Sequence, residues 1–118
     1  MKRVLLYSII IALVACNEKQ MSHTETAKIV AESFYHDDKA TLEKYTTPDI
    51  YANFITIQDL YSGEEEVNFE ISEEQSNDQT AWVKFTTTFT DEPETFKLVK
   101  QDGQWKVTER SEGERPPF

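Results

Sequence analysis

Phe96-Lys97-Leu98-Val99-Lys100-Gln101-Asp102-Gly103-Gln104-Trp105-Lys106-Val107 decides the fold. Asp-Gly between two alternating runs is a strong signal for a two-residue β-hairpin, because both central residues must take positive φ. Pairing outward from that turn sets Lys100 opposite Trp105 and Leu98 opposite Val107. Phe96, Leu98, Trp105 and Val107 then share one face. Upstream, Ala81, Val83, Phe85, Thr87 and Phe89 face one way while Trp82, Lys84, Thr86 and Thr88 face the other. Ser76-Asn77-Asp78 is a turn cluster, and before it Val67, Phe69 and Ile71 alternate with polar residues. Four antiparallel strands are expected.

Residues 22–55 read as helices. Ser22-His23-Thr24-Glu25 has the capping-box form, a hydroxyl three residues ahead of a glutamate. Ala27, Val30, Ala31, Phe34 and Tyr35 then make one helical face. His36-Asp37-Asp38 ends it, with Asp38 as cap of a short second helix over residues 39–45. Thr47-Pro48 starts a third, carrying Ile50, Tyr51, Phe54 and Ile55 at helical spacing. Ile57 to Tyr61 reads either as a strand or as an irregular crossing. Helices first and hairpins after is an α+β pattern. The expected core is Val30, Ala31, Phe34, Leu42, Phe54, Val67, Phe69, Ile71, Val83, Phe85, Phe89, Phe96, Leu98, Trp105 and Val107. The domain spans residues 22–109, and Gly113 with Pro116-Pro117 marks residues 110–118 as a disordered tail.

The first sixteen residues carry an address. Lys2 and Arg3 precede an uncharged run from Val4 to Ala15, twelve residues long. A membrane-spanning helix needs about 17–25 apolar residues, so the run is too short to span and fits an export signal. Leu13-Val14-Ala15-Cys16 resembles the lipobox of bacterial lipoproteins. That resemblance implies a signal peptide at residues 1–15, cleavage after Ala15, a diacylglyceryl thioether on Cys16 and further acylation (palmitate or a similar chain) of the new N-terminus. Residues 16–21 would then be a lipidated tether. Cys16 is the chain's single cysteine and has no disulfide partner within it. Each buried CH₂ contributes about 0.8 kcal/mol, so two or three acyl chains anchor stably where one binds only marginally. The implied location is extracytoplasmic and lipid-anchored to the membrane. In a Gram-negative host, Asn17 after the cysteine points to the outer membrane.

Composition narrows the partners. The formal charge is −10, and losing Lys2 and Arg3 with the leader takes it to −12. Nucleic-acid binding needs a basic footprint, which this chain lacks. The two histidines, His23 and His36, are too far apart for a zinc motif, and Glu64-Glu65-Glu66 and Glu73-Glu74 lack the spacing of a calcium loop. The three glycines form no phosphate loop. His36, Asp37 and Asp38 offer acid and base groups, but consecutive residues at a helix end point apart and read as a stop and a cap. No metal, cofactor or catalytic set is expected.

The segments Ala27–Asp38, Tyr45–Asp49 and Thr80–Val107 together resemble a cystatin-like, nuclear-transport-factor-2-like domain, as in small bacterial lipoproteins once labelled lumazine-binding-like. The resemblance implies helices packed on a curved four-stranded sheet that closes into a cone. The same fold hosts isomerases, dehydratases, binding modules and inert scaffolds, so it does not decide function. The favoured expectation is a non-enzymatic binding or adaptor domain in the cell envelope. Its partner would be another envelope protein, or a second copy of the chain, docked on an outward-facing Trp82. The first alternative is a small-ligand carrier or isomerase-like enzyme, which needs an apolar cavity with one or two acids. Seven large side chains (Phe34, Phe54, Phe69, Phe85, Phe89, Phe96 and Trp105) are expected to fill the cone, which weighs against an open cavity. The second alternative is an oligomerisation or structural domain.

Overall fold

The computed structural model describes residues 21–118. The signal peptide, Cys16 and all but the last residue of the tether lie outside the described residues. Three helices come first: α1 (His23–Tyr35), α2 (Lys39–Lys44) and α3 (Pro48–Tyr61). Four strands follow: β1 (Glu70–Ser76), β2 (Thr80–Thr86), β3 (Glu94–Gln101) and β4 (Gln104–Thr108). The strands form one antiparallel meander in chain order, the α+β architecture expected. Among the described residues no helix is long and apolar enough to cross a membrane.

The local signals act where they were read. Ser22 caps α1 in a complete capping box: its hydroxyl accepts from the Glu25 amide at 3.1 Å, and the Glu25 carboxylate accepts from the Ser22 amide at 2.9 Å. Such a cap contributes about 1 kcal/mol. Asp38 caps α2 by accepting from the Thr41 amide at 3.2 Å. Asp102 and Gly103 both take positive φ, 53° and 78°, so the β3–β4 turn is of the type that matches strand twist. Leu98 pairs with Val107 and Lys100 with Trp105.

Helix α1 lies on the concave face of the sheet. Ala27, Val30 and Ala31 are completely or almost completely buried there, and the small alanines let the helix backbone approach the strands. Leu42 from α2 and Val83, Phe85, Leu98, Trp105 and Val107 from the sheet complete the core. Residues 45–47 run beside β4 and close that edge: Thr47 N–H donates to the Val107 carbonyl, and Val107 N–H donates to the Tyr45 carbonyl, both at 2.9 Å. The opposite edge, β1, is exposed along its whole length and carries a register irregularity between Ile71 and Glu73.

Four expectations need correction. The segment Ile57–Tyr61 is neither strand nor irregular crossing, because α3 continues through it. Ile71 is 42% exposed and outside the core, because the shift at Ser72 and the edge position leave nothing packed over it. Strand β2 stops at Thr86. The Thr90 hydroxyl accepts from the Thr87 amide at 3.2 Å, folding residues 87–90 into a turn that sends Phe89 across to α1. The tail at residues 110–118 has a defined path. Ser111 and Glu114 close a turn, Arg110 donates to the Thr95 carbonyl at 3.2 Å, and Lys97 pairs with Glu114 at 2.8 Å.

Candidate functional site

The wide end of the cone is open. The C-terminal parts of α1 and α3, the sheet and the β2–β3 connection all contribute residues around it. The space enclosed is a cavity of about 200 Å³. Helix α1 supplies Ala31, Phe34 and Tyr35 to its wall, and α3 supplies Phe54, Ile57 and Tyr61. Phe85 and Phe96 line it from the sheet, and Phe89 and Thr90 from the connection. Among the described residues, Glu94 is the single carboxylate on the wall, and no lysine, arginine or histidine lines it.

The aromatic rings support one another rather than collapsing inward. Tyr35 and Phe89 stack with centroids 4.5 Å apart and planes at 11°. Phe34 packs on Phe54 at 5.3 Å, and Phe85 packs on Phe96 at 4.6 Å. Of the seven large side chains expected to fill the cone, Phe34, Phe54, Phe85, Phe89 and Phe96 line this space, while Phe69 and Trp105 do not, so the cone is filled only in part. Beside Phe89, Gly63 N–H donates to the Tyr35 carbonyl at 2.9 Å. A Cβ at Gly63 would come within 2.9 Å of the Phe89 ring, so the absence of a side chain lets the connection close on α1.

Two wall groups titrate away from their usual ranges. Burial pushes the Tyr35 phenol up to about 12, with the Glu94 charge adding to the rise and a hydrogen bond from Thr87 opposing it. Tyr35 is thus a neutral hydroxyl at any physiological pH. Glu94 stands at the first position of β3, on the rim, where its residue surface is open to solvent. The apolar wall still strips its carboxyl of part of its hydration, and that desolvation raises its pKa.

The residues singled out from sequence are scattered. Trp82 does lie on the convex face of the sheet, but it is only 9% exposed. Lys97 stands 5.9 Å from its ring centroid and Arg110 5.7 Å, and Pro117 of the tail shares a hollow with it. The chain's own tail lies against the Trp82 face. His36, Asp37 and Asp38 diverge: His36 meets the Glu65 carbonyl at 2.9 Å, Asp37 pairs with Lys39, and Asp38 caps α2. His23 is half-buried between Glu74, 2.6 Å away, and the Trp105 ring. Among the described residues no group of three or more His, Cys, Asp or Glu is arranged to hold a metal ion. Cys16 lies outside the described residues.

Glu94 is the site residue that the sequence reading missed. Pro93 breaks the strand pattern in the sequence, and the inward alternation is plain only from Phe96 onward. Carried one step back, that alternation places Glu94 on the same face as Phe96 and Leu98. The signal was present, masked by a proline that stands just outside the strand.

No protein-family model matches the chain, and no curated protein does. Solved structures match in fold. A Campylobacter jejuni protein named as a candidate NTF2-like transpeptidase aligns with a TM-score of 0.62 at 14% identity, over 76% of this chain and 100% of that one. An NTF2-like protein of unknown function from Silicibacter pomeroyi aligns at 0.59 and 12% identity, over 72% and 87% of the two chains. Another NTF2-like protein of unknown function, from Shewanella baltica, aligns at 0.57 and 16% identity, over 73% and 86%. The fold is NTF2-like, a helix-filled cone closed by a curved antiparallel sheet.

Proposed function

We propose that this chain is a lipid-anchored cell-envelope protein whose NTF2-like domain binds a small, largely apolar ligand in the mouth of its cone. The observation that carries the binding half is the cavity of about 200 Å³, with rings for walls and one carboxylate at its rim. A concave apolar space with few polar groups is the usual form of a small-molecule site. Glu94 is the one carboxylate among the described lining residues and has no histidine or second acid beside it, so we read the site as one for binding. The anchoring half rests on Met1–Cys16: a positive start, a short apolar run and a cysteine after Leu-Val-Ala.

Two experiments test the halves separately. The chain purified gently from envelope extracts is subjected to native mass spectrometry beside Ile57→Trp, which puts an indole into the mouth from the half-open wall of α3. A co-purifying small molecule lost in the variant supports the binding reading. Its retention in the variant, or an empty wild-type chain, refutes it. For the anchor, incorporation of labelled fatty acid into the wild type and not into Cys16→Ser is the expected result. Equal membrane fractionation of both forms would refute lipid anchoring.

A further inference from the structure

The charge and chemistry of the cavity wall restrict what it can hold. Seven aromatic rings line the space, with Glu94 as the single charged group. The face of an aromatic ring carries negative potential, and rings gathered around a pocket are a recognised environment for alkylated ammonium groups. An anionic ligand would meet aromatic rings and a carboxylate of its own sign, with no base among the described lining residues to pair with it. A neutral ligand would cover part of the Glu94 carboxylate without supplying a counter-charge.

The surroundings carry the same sign. The β2–β3 connection that contributes Phe89 and Thr90 also bears Asp91 and Glu92, both exposed. Gly63, packed against Phe89, is followed directly by Glu64, Glu65 and Glu66, also exposed. Together with a formal charge of −10 for the chain, these carboxylates draw cations toward the mouth and repel anions.

We infer that the ligand of the cone is a small organic cation, an alkylated or quaternary ammonium on a short apolar body, held by the aromatic wall and the Glu94 carboxylate. The inference rests on the binding reading above and adds the ligand's charge. An alkylated ammonium suits the site better than a primary one. Its charge is spread over methyl groups, it loses less hydration on entry, and it needs no ring of hydrogen-bond acceptors. The wall supplies few such acceptors: Glu94, Thr90 and two tyrosine hydroxyls.

The test uses three probes of nearly one shape: choline, its uncharged carbon isostere neohexyl alcohol, and the tert-butylacetate anion. Each is titrated into the full chain, wild type and Glu94→Gln, with protein-observed NMR shifts giving the affinity. Choline is expected to bind wild type at least about tenfold more tightly than neohexyl alcohol, with the anion weakest. Glu94→Gln should cut the advantage of choline by at least about threefold while the alcohol binds at least as tightly as to wild type, which also shows that the variant cavity is intact. The inference is overturned if the alcohol or the anion matches choline on wild type, or if the variant keeps the full advantage. If none of the three shifts any cavity resonance, the ligand-binding reading falls with it. Binding of the alcohol alone removes only the assignment of charge.

Discussion

Ending the chain after Glu109 should expose Trp82 and cost stability. The truncation removes Arg110, whose guanidinium lies 5.7 Å from the indole centroid and whose Nη2 donates to the Thr95 carbonyl at 3.2 Å. It also removes Glu114, the partner of Lys97, and Pro117 beside the ring. The cation–π contact contributes about 0.5–1 kcal/mol and the hydrogen bond about 1 kcal/mol. The freed chain recovers conformational entropy that offsets part of this, leaving a net loss of about 1 kcal/mol. For a domain of this size that corresponds to a fall in Tm of about 4–8 °C. The assay is direct, because the chain has two tryptophans and Trp105 is buried beside His23 on the other face. Truncation should move the summed emission to longer wavelength and make roughly half of it quenchable by iodide, while far-ultraviolet circular dichroism stays unchanged. An emission spectrum and Tm equal to those of the full chain would refute the claim that the tail covers this face.

Three further outcomes follow from the packing. Gln58, fully buried on α3, donates to the carbonyls of Ser33 and Phe34 at the end of α1, so Gln58→Ala should lower the urea-derived stability by about 1–3 kcal/mol with the m-value unchanged. Gly103 sits at φ 78° in the β3–β4 turn, and Gly103→Ala should cost about 1–2 kcal/mol in thermal unfolding; an unchanged Tm would argue against the turn as described. Desolvation raises the Glu94 pKa, so the folded state holds that proton more tightly than the unfolded one. Its contribution is therefore fully present below the ordinary glutamate range and declines as pH rises through the raised value. Glu94→Gln should match wild type in urea midpoint near pH 4 and exceed it near pH 7, and a gain that appeared only at acid pH would reverse the assignment.

The parts of the fold that could be read from the sequence are those set by neighbours in the chain. The Ser22–Glu25 capping box and the Asp102-Gly103 turn act through atoms within four residues, so composition and spacing reveal them. The register of β3 on β4 follows from the turn alone. The third helix was followed only to Ile55, because its end from Ile57 to Tyr61 faces the open mouth and carries no polar stripe. The cavity was misjudged for a different reason. A list of phenylalanines gives volume but not direction, and whether Phe89 fills the cone or walls it depends on the Thr87–Thr90 turn and on stacking with Tyr35, 54 residues away in sequence. The cover over Trp82 depends on contacts between β2, β3 and a segment whose glycine and prolines signal only irregular backbone.

The exposed β1 strand has a consequence for storage and handling. An unpaired sheet edge is a template for adding a strand from another molecule. Here that edge carries Glu70, Glu73 and Glu74, and its register breaks at Ser72. The register break blunts the template, and the net negative charge of the chain keeps molecules apart. Lowering the pH toward the isoelectric point of about 4.6 removes that net charge. The solution hazard for this protein is therefore acid, where molecules can join sheet to sheet before they unfold.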